Sequence, residues 1–299
     1  MNGTRFLYAE DGRLRAIWRF ALSVIVFYLA LNLAPFVATP LRNHSLLVRE
    51  LVSRSVLTIL LAGAFSLLLV TLDGVDGSPL AAMGLAFGGS AVRDSVVGFV
   101  FGGVMVALAV MAIAVRGKFS AVLNFGPASW KLLAEVTAVL AVAAMSEELA
   151  FRGYPFQRLV EAIGAIGATI ITSGIFAAGH LANPHATAYG VLNTAAVGVL
   201  FCLAYLRTRS LWLPWGMHLG WNFTLGVLFG LPVSGLSDFA VVVHGAAAGP
   251  VWLTGGGYGI EASATGTAVI TLGIIVVGLL FRRPPVTQPE FRPANPQTS

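Results

Sequence analysis

Met145–Gly153 reads MSEELAFRG, and where this stretch sits decides the fold. Glu147, Glu148 and Arg152 close an apolar run of helix length rather than opening a solvated loop. Two further stretches share the anomaly. Ile170–His180 reads IITSGIFAAGH and ends on an imidazole, and Leu211–Phe223 reads LWLPWGMHLGWNF and contains His218 and Asn222. A charge or imidazole in hydrocarbon costs about 3 kcal/mol or more unless it is paired or hydrated. Such groups therefore face one another or a wet cavity, and the expected fold is all-α, a polytopic membrane helix bundle that turns them inward.

Composition agrees. Of 299 residues, 57% are hydrophobic and only 10% are charged. A soluble domain carries about 25% charged residues, so this chain cannot coat a water-facing surface. Mean hydropathy is +0.84. The net charge of +5 does not indicate a nucleic-acid partner, because the basic residues fall in short connections between apolar runs, where membrane topology places them. The single cysteine, Cys202, lies in an apolar run, which excludes a disulfide framework and a cysteine-based zinc site and leaves a small packing residue.

A spanning helix needs about 20 apolar residues. Eight runs meet this, at about 17–38, 51–72, 95–115, 131–150, 163–182, 187–206, 211–230 and 264–281. Arg5, Arg13, Arg15 and Arg19 precede the apolar stretch of the first, from about Phe20 to Val37, which is read as a retained helix rather than a cleaved signal, because it is long and no small-x-small site follows it. Gly164, Gly167, Gly174 and Gly179 dilute the fifth run, which predicts a buried helix whose backbone is closely approached. With the N-terminus inside, the inner segments hold 12 of the 18 Lys and Arg residues and the outer segments hold 6, which puts both termini in the cytoplasm of a multi-pass cell-membrane protein. The expected organisation is a cytoplasmic segment 1–16, an integral domain 17–281 with its core at about 130–230, and a disordered Pro-rich cytoplasmic tail 282–299. Residues 72–94 read as a cytoplasmic loop, and 231–263 as a long outer loop with no Lys or Arg that folds back on the surface.

Spacing orders the polar set. Glu148 and Arg152 are i,i+4 and pair on one helical face, while Glu147, about 100° around, is free to reach a cavity. A carboxylate in a partly dry pocket suits general acid–base work. Phe176 lies one turn before His180, where it can pack on the ring. His218 and Asn222 are again i,i+4, so an imidazole and a carboxamide offer donors side by side. That suits an oxyanion hole, a metal ligand beside its orienting group, or a polar clamp between helices.

The series Glu147-Glu148-x-x-x-Arg152, Phe176-x-x-x-His180 and His218-x-x-x-Asn222 resembles the CPBP family of CAAX proteases and bacteriocin-processing enzymes, over about residues 130–230. The resemblance implies a membrane-embedded endopeptidase acting on a peptide or protein substrate in or at the bilayer, of prenylated or leader type. It implies that Glu147 activates water, His180 positions it, His218 and Asn222 stabilise the oxyanion, and Glu148 and Arg152 support the geometry. Members have been viewed both as zinc enzymes and as metal-free glutamic proteases. The chain has no His-Glu-x-x-His; a zinc ion, if one is bound, would take Glu147, His180 and His218 as a His₂Glu set. For Glu147 and His180 to meet, the fourth helix has to run on to about Arg158 and the fifth has to tilt or break at its glycines. A proton-coupled carrier using the same Glu and His residues, and a non-catalytic scaffold of the same fold, are the other readings.

Overall fold

The structure, a computed structural model, describes residues 6–281. The expected disordered tail 282–299, with Arg282, Arg283 and Arg292, lies outside the described residues, as does Arg5. Among the described residues eight helices form the bundle: α1 Ala16–Ala38, α2 Leu46–Asp73, α3 Gly89–Arg116, α4 Ser129–Arg152, α5 Tyr154–Ala178, α6 Ala188–Thr208, α7 Trp212–Phe223 and α8 Ala264–Leu280. α7 is extended by a π-helical turn, Thr224–Leu228. By length and apolar character Ala16–Leu41, Leu46–Asp73, Gly89–Arg116, Ser129–Ala178 and Ala188–Thr208 can cross a membrane, and Ala264–Leu280 is a shorter apolar helix. Many large side chains point outward, among them Ile59, Leu67, Val100, Ile166, Leu192 and Leu279, as a lipid-facing bundle requires.

Two parts depart from an all-helical reading. Lys118–Leu123 and Val243–Ala248 form an antiparallel pair, β1 and β2, with Lys118 opposite Ala248 and Leu123 opposite Val243. The strand Lys118–Leu123 lies in a short connection between spanning runs, and it is ordered by a partner far along the chain. The 231–263 loop does fold back, contributing β2 and several turns.

The second departure concerns the break between α4 and α5. Gly153 leaves helical geometry (φ −75°, ψ −139°), yet the chain keeps its direction. The carbonyl of Val142 accepts from Thr58 Oγ1 at 3.5 Å, Tyr154 stacks on Phe65, and Arg158 pairs with Asp73 at 2.5 Å. Positions 142, 154 and 158 therefore descend alongside 58, 65 and 73 of α2. The reversal comes at Gly164 (φ +80°, ψ 164°), a left-handed value that favours glycine. Beyond it the chain returns, so that Phe176 lies 5.3 Å from Phe151, ring to ring. The fourth span thus runs past Arg158, and the turn into the fifth comes at a glycine. The returning helix is peripheral, not buried as its glycines predicted: Ile166 and Ile170 are exposed.

The close glycine-mediated approach is elsewhere, between α3 and α7. Gly98 and Gly102 face Gly216 and Gly220, and a Cβ on any of them would enter the backbone of the facing helix. Small residues let helices in lipid approach until their backbones touch. This seam fixes α7, which carries His218 and Asn222, against α3. Trp215 Nε1 donates to the carbonyl of Ala141 at 2.8 Å and ties α7 to α4 on its other side. At the end opposite the sheet, Arg19 of α1 pairs with buried Asp73 and, at 2.5 Å, with Glu161; Arg158 completes the network. Charges buried in the first two helices are thus neutralised in place.

Candidate active site

Arg152 lies at the middle of the bundle. Its Nη2 donates to the carbonyl of Gly198, half-way along α6, at 3.3 Å. Its Nη1 meets Glu148 Oε1 at 3.4 Å, and both side chains are fully buried. The guanidinium is held among three rings, 4.6 Å from the centre of Phe176, 5.3 Å from Phe201 and 5.8 Å from Phe151. A cation against aromatic faces is stabilised where water cannot reach it.

Glu148 has a second partner. Its Oε1 lies 3.0 Å from His218 Nδ1. A carboxylate accepts, so Nδ1–H donates, and Nε2 is turned toward Glu147, whose Oε2 is 3.8 Å away. The two glutamates therefore do not point to separate places: the imidazole of His218 lies between them. Side-chain exposure rises in order along the row, 0% for Arg152 and Glu148, 10% for His218 and 27% for Glu147. Phe201 stacks on His218 at 5.2 Å, and Phe176 meets it edge-on at 6.3 Å.

Asn222 lies one turn beyond His218, half-buried, and its side chain has no hydrogen-bond partner among the described residues. His180 stands apart. Its Nδ1 meets the carbonyl of Phe176 at 2.9 Å, which makes Nδ1 the donor and leaves Nε2 as the basic nitrogen. Phe176 packs on its ring at 4.8 Å. Among the described residues no ion-pairing contact joins His180 to Glu147; Phe176 links it to the others, touching His180, His218 and Arg152.

No group of three His, Cys, Asp or Glu among the described residues has metal-holding geometry. Cys202 is a free buried packing residue.

Residues 129–224 match the family model described as Rce1-like, type II CAAX prenyl endopeptidase Rce1-like. Over this third of its length the chain is similar to the Rce1-like family. The matched 96 of 299 residues run from the first residue of α4 to just past α7 and hold every polar group from Glu147 to Asn222. The family is one of CAAX-type proteases embedded in the membrane. No curated protein matches the chain.

Sequence reasoning missed Phe151 and Phe201, whose rings enclose Arg152, because aromatic residues in apolar helices give no signal of their own. It also missed Glu261. The loop 231–263 stands out in sequence for lacking cations, and nothing in that pattern marks one of its acids as buried.

The buried pair yields a stability prediction. Breaking such a pair from one side leaves an uncompensated charge and costs about 3–5 kcal/mol. Arg152→Ala is expected to lower the thermal midpoint of the detergent-purified protein by about 10 °C or more. A midpoint within about 2 °C of the parent would show that the pair does not stabilise the bundle.

Proposed function

We propose that this Rce1-like protein is an endopeptidase in which Glu147 activates the attacking water. The observation that carries the reading is the row Arg152–Glu148–His218–Glu147, buried at one end and open at the other. Glu147 is its most exposed member and sits where a substrate carbonyl could meet it. Glu147 takes a proton from water as the water oxygen bonds to the carbonyl carbon. The carbonyl oxygen becomes an oxyanion. His218, protonated on both nitrogens, donates Nδ1–H to Glu148 and Nε2–H toward that oxyanion, with the Asn222 amide as second donor. Glu147 then gives its proton to the leaving amine as the C–N bond breaks. His180, with Nε2 basic, helps to orient the water from the side of Phe176.

The substrate is a peptide at the membrane, of prenylated or leader type, and the remaining partner is lipid. In this reading the chain is a multi-pass cell-membrane protein with both termini in the cytoplasm, and it takes no nucleic acid.

One observation favours a second reading. A proton-coupled carrier needs titratable groups at several depths, and Asp73, the last residue of α2, and Glu261, in the turn before α8, are buried acids outside the polar row. Asp73, however, is closed off by Arg19 and Arg158.

The test uses a fluorogenic farnesylated peptide ending in a CAAX sequence, and its unprenylated twin, with purified protein in detergent. Cleavage of the farnesylated peptide, unaffected by 1,10-phenanthroline, is the expected result. Cleavage of neither peptide, with proton uptake into liposomes, would replace the peptidase with the carrier.

A further inference from the structure

Glu261 lies outside the matched segment, in a single 3-10 turn, Ile260–Ala262, just before α8. It is nearly fully buried. No cation is within ion-pairing distance of it among the described residues. Instead its carboxylate is held by two neutral donors. Trp221 Nε1 donates to Oε1 at 3.0 Å, and the backbone N–H of Ser234 donates to Oε2. Its own carbonyl accepts from Asn193 Nδ2 of α6 at 2.9 Å.

Each partner leads back to the site. Trp221 directly precedes Asn222, at the point where α7 passes into its π-helical turn. A π-helical turn shifts the hydrogen-bond ladder of its helix, so the direction of nearby side chains depends on what anchors them. Ser234 belongs to the turn closed by Val233 and Leu236. The carbonyl of Ser234 accepts from Asn183 Nδ2 at 3.0 Å, and the backbone N–H of Asn183 donates to the carbonyl of His180 at 3.2 Å. One carboxylate thus joins, through hydrogen bonds, the helix that presents Asn222 and the loop that presents His180. An isolated charge is costly inside such a bundle. A packing role alone would be filled more cheaply by an apolar side chain of similar volume.

We infer that Glu261 is a positioning residue of the peptidase site, holding Asn222 and the His180 loop in register from outside the family segment. The inference rests on the peptidase reading above. It assigns Glu261 no contact with substrate.

Glu261→Gln keeps the shape, but its amide opposes one of the two donors. Trp221→Phe removes a single donor and keeps the ring, so it covers the case in which Glu261→Gln fails to fold. Both are compared with the parent on the farnesylated CAAX peptide. Glu261→Gln is expected to lower kcat by about tenfold or more, with KM changed less than about threefold. Trp221→Phe is expected to lower it in the same direction by a smaller factor. In an Asn222→Ala background both losses should shrink to well below their size in the parent, because one of the two positioned groups is gone and only the His180 loop remains to be held. Full additivity in that background, or a fall in thermal midpoint without a fall in kcat, would overturn the inference. A parent that cleaves no peptide sinks the peptidase reading and this role with it, whereas an active parent matched by active variants sinks this role alone.

Discussion

Glu147→Gln is expected to lower kcat by about 10³–10⁴-fold on the farnesylated peptide, the upper part of the range for a general base. The amide keeps the size of the side chain and loses its basicity. Glu147 is the open end of the polar row, with a quarter of its side chain exposed, so its loss should leave the bundle stable. Thermal midpoint and yield are therefore expected to match the parent. Glu148→Gln is the internal comparison. Glu148 is fully buried between Arg152 and His218. Its replacement should lower both stability and turnover, and turnover by less than Glu147→Gln does. Glu147→Gln within about tenfold of the parent would remove Glu147 from the chemistry. Equal losses of kcat in the two variants, with equal stability, would make Glu148 a chemical participant as well.

Asn222→Ala is expected to reduce kcat by about 10²–10³-fold, or roughly 3–4 kcal/mol, the usual cost of removing one preorganised oxyanion donor. The side chain has no hydrogen-bond partner among the described residues, so no internal bond is lost with it. KM and thermal midpoint should change little, since the donor meets its acceptor only as charge develops. Initial rates over a range of peptide concentrations separate the two constants. Parent-like kcat would return Asn222 to a clamp between helices, and the oxyanion would then depend on His218 alone.

Much of this molecule is set locally. Apolar runs longer than a bilayer is thick leave a helix bundle as the outcome, because the backbone must satisfy its own hydrogen bonds in lipid. Residues of one turn share a face, so the pairing of Glu148 with Arg152, the contact of Phe176 with His180 and the common face of His218 and Asn222 are legible in the residue spacing alone. The descent of the fourth span beyond Arg158 likewise follows from the need to draw its polar groups into the bundle.

The remainder depended on contacts between elements far apart in the chain. That His218 lies between both glutamates follows from the α3–α7 glycine seam and the Trp215 bond, which set the rotation of α7 against α4. Gly164 reads in sequence like a packing glycine, and only the path of the chain makes it a reversal. The strand Lys118–Leu123 exists because Val243–Ala248 lies beside it. Glu261, one acid in an irregular loop, has meaning only where the loop lands, against Trp221 and Ser234. Periodicity reports which residues share a helix face, whereas which faces meet is decided by packing over long sequence separations, and that the linear pattern does not encode.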